Sequence, residues 1–388
     1  MTATLTIAAA GAETIPRIAV RRLALARFRC FERVVLAPPP GPVVLTGANG
    51  VGKTSVLEAL SLLAPGGGLR GAQIADLRRR DGAPGWAVNA VVDGPLGAVE
   101  IATGEAPASE PPRRIVRVDG KAVRGSAALG AHVAALWLTP AMERLFLDGP
   151  AVRRRFLDRL VLAFEPQHGH RLAAYERSLR ARARLLREGG GDAVWLASLE
   201  AAMAGHGVAV AAARRATVRR LAAALAGDLA PFPGAEIAVA GTVEGWLAEA
   251  PAIDVEERFA GALAAARGRD AETGTTALGP HRSDLAVHHA ASGLAAAQCS
   301  TGEQKALLIA IVLAAAWGVA EARGRTPLVL LDEVAAHLDR GHREALFAAL
   351  IALGAQAWLT GTETAAFAGL EAARYTVAEG DVRPLAKG

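Results

Sequence analysis

Gly47-Ala48-Asn49-Gly50-Val51-Gly52-Lys53-Thr54 is a glycine-spaced octapeptide that ends in an amine and a hydroxyl, a pattern whose chemistry is the holding of phosphate. Glycines there let backbone N–H groups wrap the phosphate oxygens without a Cβ in the way. Lys53 is then placed to reach the β- and γ-phosphates, and the Thr54 hydroxyl to coordinate Mg²⁺. Two carboxylates, Asp332 and Glu333, end the apolar run Leu328-Val329-Leu330-Leu331, the form of a Walker B element. Asp332 is expected to hold Mg²⁺ through water. Glu333 is expected to orient or deprotonate the attacking water, because phosphoryl transfer needs mostly positioning and charge stabilisation.

Those groups work only on the right elements. Val43-Val44-Leu45 reads as a short buried strand running into the glycine loop, and Ser55–Leu63 carries helical apolar spacing that Pro65 and the following glycines stop. Such a helix aims its positive end at the bound anion. Upstream, 17–37 alternates as strands do until Pro38, Pro39 and Pro40, and 86–118 reads as short strands with turns, a lobe flanking a nucleotide site. From Ala151 the texture turns helical, with Val152, Phe156, Leu160 and Phe164 on one stripe and Tyr175, Leu179 and Leu186 on another. Gly189 to Gly191 interrupt it, Asp192 can cap the next helix, and helical sequence continues to about Ala226. Strand-like sequence returns near Ile237 and Leu285, and a last strand precedes Thr360. The expected organisation is a head begun by residues 1–140, interrupted by a helical arm over 141–272, and completed by 273–388.

Ser300-Thr301-Gly302-Glu303-Gln304 opens the next helix and resembles the signature sequence of ABC-type ATPases, with Thr301 where glycine is more usual. The resemblance implies that Ser300, Gly302 and the helix N-terminus contact the γ-phosphate held by a second copy, which makes Ser300, with Lys53 and Glu333, a candidate catalytic residue. A plain helix cap is the competing reading, since Ser with Glu three residues on is a capping box. Ala336-His337-Leu338-Asp339 fits a D-loop, placing Asp339 toward the partner subunit. The interval between Lys53 and Ser300 is too wide for a transporter ATPase and too short for chromosome-maintenance heads with their long coiled coils.

Composition sets the outer limits. The 388 residues, 52% hydrophobic and 21% charged, describe a globular chain of more than one domain. The apolar stretch from Ala306 to Ala320 falls short of the ~20 residues that cross a bilayer and reads as a buried helix. The N-terminal MTATLTIAAAGAETI lacks the basic and apolar regions of a secretory signal, so a cytoplasmic location is expected. Cys30 and Cys299 are too far apart in sequence to form a metal-ligand spacing. The net charge of +5 suits a polyanionic partner, although an arginine-rich, alanine-rich proteome produces the same bias.

Five segments together resemble the RecF family of bacterial recombination and gap-repair ATPases: LARFRCF (25–31), GANGVGKTSVLEALSLL, GPAVRRRFLD (149–158), GPHRSDL (279–285) and the stretch from Ser300. They follow the family's order over nearly the whole chain, departing from it at Gly68-Leu69-Arg70 and Arg182-Ala183. Thr360-Gly361-Thr362 stands where transporter ATPases carry a switch histidine. The resemblance implies an α/β, ABC-type P-loop head with a β-rich lobe and an inserted α-helical arm. It also implies slow hydrolysis of ATP with Mg²⁺, an ATP-dependent homodimer on duplex DNA or a single-strand/double-strand junction, a RecR-like recombination-mediator partner, and a part in replication recovery and the SOS response. Ten arginines against three acidic residues between Ala151 and Arg187 offer Arg153, Arg154, Arg180 and Arg184 as DNA contacts, and Arg214 and Arg215, with Arg219 and Arg220, extend them along a further helix. A solvated helix face is the alternative for these arginines. For the whole chain the alternatives are an ATP-gated protein scaffold without DNA binding, or a transporter-type subunit.

Overall fold

Four consecutive buried residues, such as Val43–Thr46, are at home in a parallel sheet covered on both faces, where no side chain meets water. The computed structural model describes residues 16–79, 85–95, 97–107, 109–189, 192–227, 229–335 and 338–385. In chain order the first elements are β1 (Ala19–Phe28), β2 (Phe31–Leu36), β3 (Val43–Thr46) and α1 (Lys53–Ser61). Next come β4 (Ala87–Gly94), β5 (Gly97–Glu105), β6 (Arg114–Val118), β7 (Lys121–Val123) and β8 (Ala135–Leu138). Then follow α2 (Pro150–Phe164), α3 (His168–Arg187), α4 (Ala193–Leu225), β9 (Ala235–Ala240), α5 (Thr242–Glu249), α6 (Ala252–Ala265) and α7 (Arg267–Thr273). The last group is β10 (Asp284–His289), α8 (Thr301–Arg323), β11 (Leu328–Leu331), α9 (Arg340–Leu353), β12 (Ala357–Gly361), β13 (Ala373–Ala378) and β14 (Asp381–Pro384).

These elements form two compact units. The first comprises Met1–Glu143, Ala224–Gly234 and Ser300–Gly388, and the second Arg144–Ala223 and Ala235–Cys299. Among the described residues, unit one holds two six-stranded sheets. One runs β14-β13-β3-β12-β11-β8, parallel except for β14, so that β12 lies between the phosphate-loop strand β3 and the carboxylate-bearing strand β11. The other, β2-β1-β4-β5-β6-β7, is antiparallel throughout and supplies the β-rich lobe. A single core joins them: Leu25, Phe28 and Phe31 of the lobe pack in one cluster with Val56 and Leu60 of α1 and with Leu330 and Trp358. Helix α8 is apolar and long enough to cross a bilayer, yet Ala306 to Ala316 are all buried in this unit, as a core helix requires.

Unit two is the arm. Tyr175, Met203, Val208, Val243, Val255 and Phe259 gather its helices around a core of their own. The expected return to the head at residue 273 is corrected here: β10 pairs with β9 over six residues, from Asp284 opposite Ala240 to His289 opposite Ala235, and so belongs to the arm. The head resumes at Ser300, and residues 224–234 also return to it. Among the described residues β10 has β9 as its ladder partner, and a strand goes where its partner goes.

Candidate functional site

The glycine loop follows β3, and its backbone leaves no choice of residue at two places. Gly47 has φ 154°, and a Cβ there would lie 2.3 Å from the Val377 carbonyl oxygen. Gly52 has φ 115°, and its Cβ would meet Cys30 Sγ at 2.5 Å. Gly52 then serves as N-cap of α1 without a side chain to compete for the first-turn N–H groups, which is how a helix N-terminus is kept open for an anion. Ala48, Asn49 and Gly50 are exposed at the crest of the loop and Val51 is half-buried.

Lys53 is buried, and its ammonium has three partners for three protons: the Gly47 carbonyl at 2.7 Å, the Ala48 carbonyl at 3.0 Å and Glu333 Oε1 at 3.1 Å. The Thr54 hydroxyl lies 3.0 and 2.9 Å from the two oxygens of Asp332. Thr360, at the end of β12, closes the set. Its hydroxyl donates to Asp332 Oδ1 at 2.7 Å and accepts from the Glu333 backbone N–H at 2.9 Å. Burial raises the Asp332 carboxyl above its ordinary value against the pull of those hydroxyls, with the Glu333 charge adding to the rise. Glu333 itself sits at φ 55°, a left-handed posture that non-glycine residues hold only when the surroundings fix it. Lys53, Thr54, Asp332 and Glu333 are thus brought together; Thr360, known beforehand only as part of the segment replacing a switch histidine, completes them.

Among the described residues none of the cluster's hydrogen bonds involves Ser300, Gly302 or Asp339. Ser300 is exposed at the N-cap of α8, where it accepts from the Glu303 N–H while Glu303 bonds back to the Ser300 N–H, a complete capping box. Gly302 is exposed beside it. Asp339 caps α9, accepting from the His342 N–H at 3.0 Å and meeting His342 Nδ1 at 2.6 Å, contacts that hold its carboxyl below its ordinary value. Ala336 and His337 of the expected D-loop lie outside the described residues.

A cavity of about 450 Å³ adjoins the loop, sharing Gly50, Gly52 and Ser55 with it and lined further by Arg29 and Arg70. Glu58, buried on α1, fixes both cations: Arg29 donates to it at 2.8 and 2.6 Å and Arg70 at 3.2 Å. Arg29 belongs to the LARFRCF segment, but nothing in the sequence singles out Glu58, which reads as one more residue of an amphipathic helix.

The arm arginines divide sharply. Arg214 is buried and clamped to Asp158 by two bonds of 2.8 Å, so its assignment to DNA is withdrawn, as is its sharing of an open face with Arg219 and Arg220. Arg153 is engaged at both ends of Asp284, at 2.8 and 2.7 Å, and braces the arm instead of presenting a free cation. Arg180 and Arg184 are exposed in single-turn pairs with Glu176 and Glu188. Arg215 and Arg154 are half-buried, Arg154 donating to the Ser283 carbonyl at 2.7 Å.

Residues 22–81 match a family model described as an AAA domain. The chain is 48% identical over 369 residues to the DNA replication and repair protein RecF of Mesorhizobium japonicum, covering 94% of this chain and 97% of that protein. Against the RecF of Rhizobium etli it is 45% identical over 370 residues, covering 94% and 99%. Among solved structures, the recombination mediator protein RecF-ATPrS of the RecFOR pathway superposes with a TM-score of 0.84 at 22% identity, over 95% of this chain and 98% of that one. An Smc head domain from Pyrococcus furiosus with an extended coiled coil superposes at 0.51 and 15% identity, over 95% and 96%. At those identities the likeness is one of fold, an ABC-type ATPase head.

Proposed function

This chain belongs to the RecF family of DNA replication and repair proteins, and we propose that it works there as a cytoplasmic, ATP-closed dimer that binds DNA at single-strand gaps or their junctions and reopens on slow hydrolysis. The observation that carries the reading is the polar network in which Thr54, Asp332, Thr360, Glu333 and Lys53 unite the glycine loop with two neighbouring strand ends.

Thr54 and Asp332 suit Mg²⁺. A hydroxyl and a carboxylate are the hard oxygen donors the ion takes, and they already meet at 2.9 and 3.0 Å; Thr54 would coordinate it and Asp332 would hold it through water. When bound, the ion supplies charge neutralisation at the β- and γ-phosphates. Lys53 exchanges a partner in the same event: a γ-phosphate oxygen is a stronger acceptor than the Gly47 and Ala48 carbonyls and competes with Glu333 for the ammonium. Glu333 is then free to hold the attacking water, and the Thr360 hydroxyl on its N–H keeps it in position. Arg29 and Arg70, set by Glu58, seat the nucleoside end of ATP in the adjoining cavity. Ser300, Gly302 and Asp339, all exposed, complete the site of a second copy. The RecFOR pathway of the similar solved structure supports a RecR-like mediator as partner, and a part in the SOS response completes the proposal.

Sedimentation with ATP titrated in, with and without gapped DNA, tests the reading. The expected result is a shift from monomer to dimer that needs ATP and is promoted by DNA. Ser300→Arg should abolish the shift while sparing nucleotide binding; a variant that still dimerises normally overturns the composite site.

A further inference from the structure

The GPHRSDL segment is fixed in unit two by nearly every polar atom it owns. The Pro280 carbonyl accepts from Arg214 at 2.6 Å, the Ser283 carbonyl accepts from Arg154 at 2.7 Å, and the Ser283 hydroxyl donates to the Glu244 carboxylate at 2.7 Å. His281 accepts from the Tyr175 hydroxyl at Nδ1, 2.7 Å, and donates from Nε2 to the Thr276 carbonyl at 2.9 Å. That arrangement needs the neutral ring, and burial accordingly holds His281 below its ordinary pKa. Gly279 has φ 136°, and a Cβ on it would lie 2.2 Å from Tyr175 Oη, so this turn admits no other residue.

Four arginines meet at the turn, and among the described residues two of them form ion pairs. Asp158 answers Arg214 and Asp284 answers Arg153. Among the described residues Arg154 and Arg282 form no ion pair. Arg154 donates to the carbonyl of the residue that follows Arg282, and the Arg282 charge is felt at Arg154. Arg282 is exposed and anchored through Nε to the Thr276 carbonyl at 3.1 Å and through its N–H to the Gly279 carbonyl at 2.9 Å. Its two outer nitrogens have no hydrogen-bond partner among the described residues. Burial first, then the Arg214 charge and more weakly that of Arg282, pulls Arg154 below its ordinary value against the opposing charges of Asp284 and Asp158. An exposed guanidinium whose outer N–H groups have no hydrogen-bond partner among the described residues, with a second half-buried one beside the same turn, offers an outside anion charge-assisted hydrogen bonds.

We propose that Arg154 and Arg282 form a two-point clamp for a backbone phosphate of DNA. The proposal rests on the DNA-binding reading given above and narrows it to two side chains. A guanidinium fork matches phosphate oxygens bidentately, and the clamp reads no base, so it contributes equally on every sequence. Arg155, exposed one residue further along α2, offers a cation to an adjoining phosphate.

The test uses the full chain with ATP and a labelled gapped duplex, with affinity measured across a salt series. Arg282→Gln with Arg154→Gln should make the log–log salt slope shallower by roughly 0.9, the share of one phosphate, and Arg282→Gln alone by part of that, while ATP affinity stays at the parental value. Arg282→Lys should keep most of the slope. Absence of DNA binding by the parent would remove the underlying DNA reading along with the clamp. Steep parental binding with an unchanged slope in Arg282→Gln, a substitution at an exposed side chain, would remove the clamp alone. So would competition by polyglutamate as effective as that of DNA at equal charge, which would point to an acidic protein instead.

Discussion

Replacing Thr360 by valine removes one oxygen and leaves the shape, so it isolates what the hydroxyl does. Thr360 is 1% exposed and donates at 2.7 Å to a carboxylate that burial already disfavours, while accepting from the Glu333 N–H at 2.9 Å. Losing the bond to a charged acceptor and orphaning a buried N–H sum to about 3 to 5 kcal/mol of folding stability. A second consequence falls on chemistry. Glu333 is held at φ 55° partly by this bond, and such a posture is worth about 1 to 3 kcal/mol of strain, so release lets the carboxylate relax away from its working pose. Hydrolysis should then slow by roughly one to two orders of magnitude, at 1.4 kcal/mol per factor of ten. Binding of ATP through Lys53 should change little. Denaturant unfolding and a steady-state phosphate-release assay read the two effects, with Thr360→Ser as the control that restores both. A valine variant hydrolysing ATP within twofold of the parent would refute the account of Glu333.

Glu333→Gln removes the charge that Lys53 meets at 3.1 Å, so nucleotide should bind at least as tightly while turnover stops and the dimer persists in a sizing experiment; unchanged turnover would place the base elsewhere. Arg214→Met leaves the buried Asp158 carboxylate with His168 as its remaining side-chain hydrogen-bond partner among the described residues and should cost about 3 to 5 kcal/mol in urea unfolding, with a loss under 1 kcal/mol counting against the pair. Burial pushes the Asp158 carboxyl up, but the bonds from His168 and Arg214 outweigh it and hold the group below its ordinary value. A lowered folded pKa gives stability that is present above about pH 4 and is lost as pH falls through the folded value, so Asp158→Asn should flatten the acid limb of the stability curve there. An acid limb identical to the parent's would contradict this.

What was legible in the sequence is what is local in the chain. The phosphate loop is eight consecutive residues, and Asp332 and Glu333 end one apolar run, so both can be read without knowing the sheet. Thr360 is different. It matters because β12 lies between β3 and β11, which puts its last turn against Asp332, and strand order is not written in any one segment. Glu58 is hidden for a similar reason: a carboxylate on the helix that Lys53 opens looks solvated until the β1–β2 turn and the loop at Arg70 deliver two guanidinium groups to it. The arm boundary failed because β10 follows its ladder partner β9.

The arginines carry the more general point. Counting cations along a helix treats each as available, yet the carboxylate that uses one up can be far away in the chain: Asp158 is 56 residues from Arg214 and Asp284 is 131 from Arg153. Affinity for a polyanion comes from releasing counterions that were mobile beforehand, so a guanidinium already locked to a buried carboxylate contributes none of it. Arg180 and Arg184 meet their glutamates in solvent, where screening leaves the pairs weak and a phosphate can displace them. The deciding quantity is therefore whether a carboxylate has claimed each arginine first. By that measure Arg282, absent from any arginine-rich run, is better placed to meet DNA than Arg214, which sits inside one.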